Sequence, residues 1–193
     1  APGAPDPTMG SMDPATLSIR DAGDADFRPM AAIAAAAFRS NYPGFLSREQ
    51  IEYMLEHRYS SQALRQQAQR GHRFLIARLG EQPAAFASFG FSADATDEAQ
   101  IHKLYLRPDL QGQGLGSRLV QTITDRCEAM GIHHLVLTVN RLNIHAINFY
   151  IKHGFLLRSA VDNDIGGGFA MNDFVMAKRI AGIGDTAKLP ALH

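Results

Sequence analysis

Residues 104–116 have the sequence LYLRPDLQGQGLG and join a strand to a helix through a glycine-rich loop. The strand stops at Arg107-Pro108, because proline restricts the residue before it and cannot donate to a sheet. After the glycines at 112, 114 and 116, apolar residues recur at helical spacing. Glycine lets a backbone approach a ligand closely, and a helix start offers unpaired N–H groups and a positive dipole end. The stretch indicates an anion site suited to phosphates, although an ordinary tight turn has the same pattern.

Two common nucleotide-binding loops do not fit this stretch. A Walker A loop requires Gly-Lys-Ser/Thr, whereas Gly116 is followed by Ser117 and Arg118. The dinucleotide fingerprint requires its third glycine or alanine where Ser117 stands, and an acid at the end of the next strand, where Asn140 stands. The sequence therefore does not favour either class of nucleotide site.

A second pattern lies at residues 143–150, NIHAINFY, followed by Gly154 and Phe155. At about 100° per residue, Asn143, Ala146 and Tyr150 fall within roughly 60° of one another on one helix face. Asn143 by itself is explained as an N-cap, and Tyr150 by itself as an amphipathic core residue.

Together the two patterns resemble the GNAT superfamily of acyl-CoA N-acetyltransferases. Gln111-x-x-Gly114-x-Gly116 opens a helix, and Asn143-x-x-Ala146-x-x-Phe149-Tyr150 follows about thirty residues later, with a predicted strand at 135–139 between them. The resemblance extends loosely over residues 17–178, and the layout, including the run NDFVM at 172–176, is most similar to bacterial spermidine/spermine-type acetyltransferases. It implies a single-domain α/β (α+β) fold, in which helices flank a mixed, mostly antiparallel sheet with splayed central strands.

The resemblance also implies a binding site for acetyl-CoA, the expected co-substrate, with no metal. The loop amides would hold the pyrophosphate, and the preceding strand would pair with the pantetheine arm, with the Leu104 N–H polarising the thioester carbonyl. Asn143 would contact the pantetheine, and Tyr150 would protonate the departing thiolate as general acid. The implied cofactor-binding residues on the strand and loop are Leu104, Tyr105, Leu106, Gln111, Gly112, Gln113, Gly114, Leu115, Gly116 and Ser117.

The general base is not assigned. An alkyl amine with a pKa near 10.4 has to lose a proton before it attacks, and relatives often carry a glutamate on the strand before the loop. Gln100 stands at that position and cannot accept the proton. His102, Glu98 or a water chain could serve, although a solvated strand position explains His102 equally well.

The implied acceptor is an amine, with a small amine or a polyamine favoured. The family builds the acceptor pocket from the first two helices and the loop between them, which indicates Phe38, Tyr42 and Phe45, with His102 as a further candidate. The three aromatic residues could equally be core residues that close the helix junction.

A catalytic cysteine and a histidine-based metal site are both disfavoured. Cys127 lies on the apolar stripe of the helix after the loop, where a small buried thiol is the ordinary outcome. His133, His134, His145 and His153 show no HExxH pattern and no nearby set of Cys or Asp ligands.

Charge and composition narrow the classes of partner and location. The 193 residues include 19 Lys plus Arg and 19 Asp plus Glu, a balance that does not favour binding to nucleic acid or to a membrane surface. One cysteine excludes a disulfide framework, and no apolar run approaches the roughly 20 residues that span a bilayer. We expect a cytoplasmic protein, and the resemblance adds a possible homodimer.

The chain is expected to hold one domain over residues 16–181. Residues 1–11 are rich in proline and glycine and are expected to be a leader appended before the natural start at Met12, and residues 182–193 are expected to be a tail. Helices are predicted from Asp24 to before Tyr42, after a Ser47 cap, after the glycine loop to Met130, and over 144–153. Strands are predicted over 16–20, 73–78, 84–91, 101–106, 135–139, 156–161 and 169–177.

Two rival functions remain at this point. A module of the same fold could sense acyl-CoA without catalysis, but it would not need Tyr150. A nucleotide-dependent oxidoreductase could use the glycine loop, and its thermal response to NAD or ATP would distinguish it from an acetyl-CoA enzyme.

Overall fold

The computed structural model of the chain describes residues 17–91 and 97–180. The expected leader, the expected tail and the outermost residues of the expected domain, 16 and 181, lie outside the described residues. No helix within the two described ranges is long and apolar enough to cross a membrane.

Seven strands and five α-helices make up the described fold. The helices are α1 (Phe27–Asn41), α2 (Arg48–Arg58), α3 (Ser61–Gln69), α4 (Leu115–Glu128) and α5 (Ile144–Lys152). The strands are β1 (Leu17–Asp21), β2 (Arg73–Leu79), β3 (Gln82–Phe91), β4 (Glu98–Leu106), β5 (His134–Asn140), β6 (Leu156–Gly166) and β7 (Phe169–Arg179). Single 3-10 turns precede α1 and follow β4.

Helix α3 was not predicted from the sequence. This helix contributes only Ala63 and Leu64 to the buried interior, so it lacks the repeated apolar spacing that predicts helices. Its start is nevertheless well defined, because the Ser60 hydroxyl accepts a hydrogen bond from the Ala63 amide at 3.2 Å. The predicted cap of α2 is present in the same form, with Ser47 accepting from the Gln50 amide.

The sheet has the strand order β1-β2-β3-β4-β5-β7-β6, and every pairing is antiparallel except that of β4 with β5. The parallel ladder is short: it joins Glu98 through Ile101 to His134 through Leu137 and goes no further. The remainder of β4 pairs only with β3, and the remainder of β5 only with β7. The expected mixed sheet with splayed central strands is therefore confirmed.

Each face of the sheet carries its own core. On one face α4 and α5 pack through residues such as Leu119, Ile123 and Tyr150. On the other face α1, α2 and α3 pack through residues such as Phe38 and Leu64. The gap between β4 and β5 thus opens between two helical layers, and this is where the cleft lies.

Candidate active site

A cleft of about 1410 Å³ opens where β4 and β5 separate. Its walls come from β4, the glycine loop, α5, the ends of β5 and β7, and the α1–α3 layer. A volume of this order is large enough for an extended cofactor together with a second substrate. The residues predicted from sequence that line it are Phe38, Tyr42, His102, Leu104, Tyr105, Leu106, Gln111, Gly112, Gly114, Gly116, Ser117, Asn143 and Tyr150.

The glycine loop ends in a helix start with free amides. Gly112 and Gly114 have φ values of 78° and 81°, in the left-handed region that favours glycine, and Gly114 is the N-cap of α4. The first helical amide with a main-chain acceptor is that of Arg118, which donates to the Gly114 carbonyl. The amides of residues 115–117 therefore remain available to an anion.

Gly116 is needed for close packing rather than for an unusual backbone angle. A Cβ atom at this position would lie 3.1 Å from the Phe149 ring of α5. Next to it, the Ser117 hydroxyl lies 2.9 Å from Nε2 of His153, whose Nδ1 lies 2.8 Å from the Phe149 carbonyl. The carbonyl can only accept, so Nδ1 carries the proton, and in the neutral ring Nε2 accepts from Ser117. These contacts fix α5 against the start of α4.

Two predicted loop residues keep their side chains away from the cleft. The Leu115 side chain is fully buried in the core, and Gln113 donates to the Asp109 carbonyl at 3.4 Å. Any contribution of these residues to an anion site would come from their main-chain amides.

The edge of β4 offers further main-chain donors. The Arg107 amide donates to the Ala84 carbonyl of β3, and successive amides along a strand alternate in direction. By this alternation the Tyr105 amide faces β3, whereas the amides of Leu104 and Leu106 face the gap left by β5. The Leu104 N–H therefore points into the gap and has no partner from β5, as its predicted role requires.

Asn143 and Tyr150 lie on the opposite wall, on α5. Asn143 caps the helix, with Oδ1 accepting from the Ala146 amide at 3.1 Å, and it also lines the cleft. The Tyr150 side chain is 9% exposed and packs against Phe149 and Phe155. Burial raises the pKa of Tyr150 well above its usual value, so the phenol keeps its proton at neutral pH.

Aromatic side chains from three elements line the far side of the cleft. Phe38 stacks on Tyr42 and on Tyr105 at ring distances of 4.3 and 5.3 Å, and the hydroxyls of Tyr59 and Tyr105 lie 2.9 Å apart. Phe45 packs against Tyr42 at 5.0 Å but does not line the cleft. Tyr59, which the sequence analysis did not single out, is therefore part of this wall.

The candidate bases have different surroundings. His102 stacks on His72 at 4.0 Å in the cleft, and burial, followed by the charges of His72 and Lys103, lowers its pKa to about 4. Such an imidazole is neutral at pH 7 and accepts a proton only weakly. Glu98 pairs with Arg158 at 2.6 Å and lies outside the cleft, whereas Gln100 lines it.

Two charged residues of the cleft carry no assigned role from the sequence. Lys103 on β4 is 9% exposed and Asp173 on β7 is 7% exposed. Burial, followed by the charge of Arg58, lowers the pKa of Lys103 to about 8, and burial raises the pKa of Asp173 to about 6. The available signal was a charged residue inside an apolar strand, but solvated strand positions look the same in sequence.

Cys127 is fully buried, and burial raises its pKa to about 11, so its thiol is protonated at neutral pH. Within residues 17–91 and 97–180, no group of three or more His, Cys, Asp or Glu side chains is arranged to hold a metal ion.

The sequence is similar to known acetyltransferases. The profile of the acetyltransferase (GNAT) family matches residues 33–155. A spermidine N(1)-acetyltransferase from Thermoplasma acidophilum is 26% identical over 169 residues, covering 85% of this chain and 98% of that protein. The [ribosomal protein bS18]-alanine N-acetyltransferase of Escherichia coli K12 is 35% identical over 85 residues, which cover 44% of this chain and only 57% of the relative.

The fold is similar to that of a solved structure of the same kind. The crystal structure of PaiA N-acetyltransferase from Thermoplasma acidophilum, a complex with coenzyme A, superposes with a TM-score of 0.72. The two sequences are 26% identical, and the match covers 84% of this chain and 98% of the other.

Proposed function

The chain belongs to the acetyltransferase (GNAT) family, and on that premise we propose that it transfers an acetyl group from acetyl-CoA directly to an amine. One observation carries the proposal. The free amides at the start of α4, the free edge of β4 and the buried Tyr150 phenol all border the same cleft. With an acyl-CoA bound, this arrangement would supply a phosphate site, an oxyanion donor and an acid in one place.

Coenzyme A fits the donors of this cleft. The amides of residues 112–117 would hold the pyrophosphate, since they offer N–H groups without a competing acidic side chain. The edge of β4 at Leu104 and Leu106 would pair with the amides of the pantetheine arm, which completes hydrogen bonds that β5 does not make. The related PaiA structure is a complex with coenzyme A, which supports this use of the fold.

The chemistry would need no covalent enzyme intermediate. The Leu104 amide would donate to the thioester carbonyl oxygen as negative charge develops there. The amine nitrogen attacks that carbonyl carbon, the C–S bond breaks, and the Tyr150 hydroxyl gives its proton to the departing sulfur. The proton that the nitrogen loses as the amide forms would return to the Tyr150 oxygen, which restores the phenol. A phenol with a raised pKa is a protonated donor over the whole physiological range.

The acceptor is proposed to be a small amine or a polyamine. The relative that matches most of this chain's length is a spermidine N(1)-acetyltransferase, which supports a small acceptor. The aromatic wall of Phe38, Tyr42 and Tyr105 would pack against its carbon chain. Because His102 is a weak base here, loss of the ammonium proton through water in the cleft is the simpler route.

The extent of the domain, its location and its assembly complete the proposal. Ile180 is 2% exposed, which supports a domain that continues to about residue 181. A cytoplasmic location is proposed from the composition of the sequence, and a homodimer from the family resemblance.

A thiol-release assay with acetyl-CoA and a panel of amines tests the proposal. We expect CoA release that requires an acceptor, together with thermal stabilisation by acetyl-CoA and not by NAD or ATP. Stabilisation by acetyl-CoA without turnover of any acceptor would instead favour an acyl-CoA sensor. Stabilisation by NAD or ATP alone would contradict both the acetyltransferase and the acyl-CoA sensor.

A further inference from the structure

We infer that the acceptor carries an anionic group, such as a carboxylate, in addition to its primary amine, with Asp173 binding the ammonium and Lys103 binding the anion. The inference rests on the proposed function and specifies the substrate class of the same cleft. It narrows the proposed acceptor to a small amine of amino-acid type and disfavours the polyamine alternative.

The two charged residues lie on the same face of the sheet, on opposite sides of the gap. Side chains alternate along a strand, and Tyr105 on β4 and Met171 on β7 pack against the α1–α3 layer. Lys103 and Asp173, each two residues from one of these, face the same layer. Strand β5 lies between β4 and β7, so the two side chains flank the cleft where β5 has moved away from β4.

Asp173 is a buried carboxylate without a salt-bridge partner among the described residues, although the charge of the nearby Arg141 acts to lower its pKa. Its Oδ1 has no hydrogen-bond partner, and no Lys, Arg or His nitrogen of the described residues lies within 4.0 Å of the carboxylate. The nearby Arg141 pairs instead with Asp162 at 2.8 Å. A buried acceptor atom left unpaired in this way is costly, and an ammonium group would satisfy it.

The charge of Asp173 reaches the catalytic side of the cleft. Burial is the largest cause of the raised pKa values of Tyr42 and Tyr59, and the Asp173 carboxylate raises both further. Tyr150 also contributes to the pKa of Tyr59, and Tyr42 to that of Tyr150. The carboxylate and the proposed acid line the same cleft and lie near the same tyrosines, so an amine bound by Asp173 would lie on the side of the cleft where the thioester is proposed to bind.

Lys103 is the complementary case, a buried ammonium without an anion. It lies 4.9 Å from the centre of the Tyr59 ring, and no carboxylate oxygen in the described parts of the chain lies within 4.0 Å of it. Its other charged neighbour, Arg58, is also positive. A carboxylate on the acceptor would neutralise this charge where the surrounding dielectric is low.

The pair of charges discriminates among amines. A second ammonium of a polyamine, extending away from Asp173, would meet Lys103 and Arg58 and be repelled. An acceptor with one amine and one carboxylate would satisfy both buried groups. The cleft is therefore complementary to a zwitterion.

Matched acceptors that differ only by a carboxylate test this directly. We propose to compare kcat/KM for L-phenylalanine with 2-phenylethylamine, and for L-ornithine with putrescine. In the wild-type protein the carboxylate member of each pair should be favoured by at least about tenfold, the worth of one charged hydrogen bond. Asp173→Asn should raise KM for every acceptor by about tenfold or more.

The Lys103 variants separate recognition from folding. Lys103→Met should bring each ratio to within about threefold of unity, whereas Lys103→Arg should retain most of the preference, because it keeps the charge. Lys178→Met, on β7 outside the cleft, serves as the matched control and should leave the ratios unchanged. Circular dichroism of each variant checks that it is folded.

The pH dependence of the acceptor preference distinguishes charge recognition by Lys103 from a purely structural role of this residue. Lys103 loses its proton as the pH rises through about 8, so the preference for the carboxylate member should fall over that range. The other charged or titratable groups facing Lys103 are Arg58, Tyr59, His72 and His102. The two histidines have lowered pKa values and are neutral throughout this range.

Calorimetric binding of the same four acceptors, in the presence of CoA, makes the result independent of turnover. Tighter binding of the amino acids without acetyl transfer would support the charge pairing while contradicting the proposed reaction. Equal or better use and binding of putrescine and 2-phenylethylamine, or ratios unaffected by Lys103→Met, would overturn the inference.

Discussion

The two halves of the cleft recognise their ligands in different ways. One half, the cofactor half, is formed by residues 104–117 and offers main-chain amides from one short stretch of chain. The other half, the acceptor half, is formed by α1, α2, β4 and β7. It offers side chains, including buried tyrosines, Lys103 and Asp173. Main-chain donors suit a ligand that is the same for every relative, whereas side chains can be exchanged without changing the fold. Under the proposed function, the cofactor would therefore be bound through local backbone geometry and the acceptor through side chains brought together by tertiary packing.

Tyr150 lies where the two halves meet, and its removal should have the largest effect. Tyr150→Phe keeps the packing against Phe155 but removes the proton donor, so kcat should fall by roughly 10²–10⁴. The affinity for acetyl-CoA should change little, since the amides of the loop are untouched. Steady-state kinetics and isothermal calorimetry measure the two quantities separately.

Tyr53→Phe is the matched control for this variant. Tyr53 lies outside the cleft, where its hydroxyl is 3.3 Å from the Ile165 carbonyl, and its loss should not lower kcat. A loss of less than about threefold in Tyr150→Phe would remove Tyr150 from the mechanism.

The buried charge of Asp173 should lower the free energy of unfolding. Burial raises the pKa of Asp173 to about 6, so its ionised form destabilises the fold at pH 7.5. Asp173→Asn should therefore raise the free energy of unfolding at pH 7.5 by about 1–3 kcal/mol, and this gain should shrink as the pH falls through 6 towards 4. Denaturant unfolding at pH 7.5 and 4.5 measures the change.

Asp26, far from the cleft, provides the opposite case. It accepts two hydrogen bonds from Arg20, at 2.7 and 2.9 Å, and this contact holds its pKa below the usual value. Asp26→Asn should lower stability at pH 7.5 by about 1–3 kcal/mol, and the loss should disappear as the pH falls through the folded-state pKa. If both variants shift the free energy of unfolding in the same direction at pH 7.5, the ionised Asp173 carboxylate does not destabilise the fold as proposed.

The cofactor half should respond to backbone changes rather than to charge. Gly114 has φ of 81° and open space around its Cβ position, so Gly114→Ala introduces only a conformational penalty of about 1–2 kcal/mol. Because that penalty falls on the loop, the dissociation constant for acetyl-CoA should rise by about tenfold. Calorimetric titration of the variant measures it.

Gly80 is the matched control, since it has φ of 53° in the β2–β3 turn and equally open surroundings. Gly80→Ala should lower stability to a similar extent without weakening acetyl-CoA binding. Equal losses of affinity in both variants would show that Gly114 acts through global stability alone.

The smallest effect is expected at the boundary of the acceptor half. Phe45 touches Tyr42 but does not line the cleft, so Phe45→Leu should change the acceptor KM by less than about twofold. Steady-state kinetics at saturating acetyl-CoA check this. A change above about fivefold would extend the acceptor pocket to the α1–α2 loop.

Much of the cofactor half could be predicted from the sequence. The glycines, the strand that stops at Pro108 and the cap at Asn143 act over a few residues, so their effects are visible in a linear pattern. The resemblance to a family added the splayed strands, which no local pattern shows. Element bounds agreed to within a few residues except at β6, which continues to Gly166, and at α3, which was not predicted because it buries only Ala63 and Leu64.

Most of the acceptor half could not be predicted. Lys103 follows His102, which was considered from the sequence. The register shift between β3 and β4 at this point brings both side chains to the α1–α3 side of the sheet, where Lys103 is buried. His102 itself has a pKa that depends on stacking with His72, a residue from another part of the chain. In each case the property belongs to a neighbour that is distant in sequence.

The amino-acid order alone is enough to specify the glycine loop and the free amides at the start of α4, because glycine conformations and helix-start amides are local properties of the backbone. The charge of the acceptor pocket is not local. Asp173 and Lys103 acquire their burial, their unpaired state and their shifted pKa values only when the strand order β4-β5-β7 brings them to one face beneath the α1–α3 layer. Desolvation depends on everything packed around a group, and that packing exists only in the folded chain.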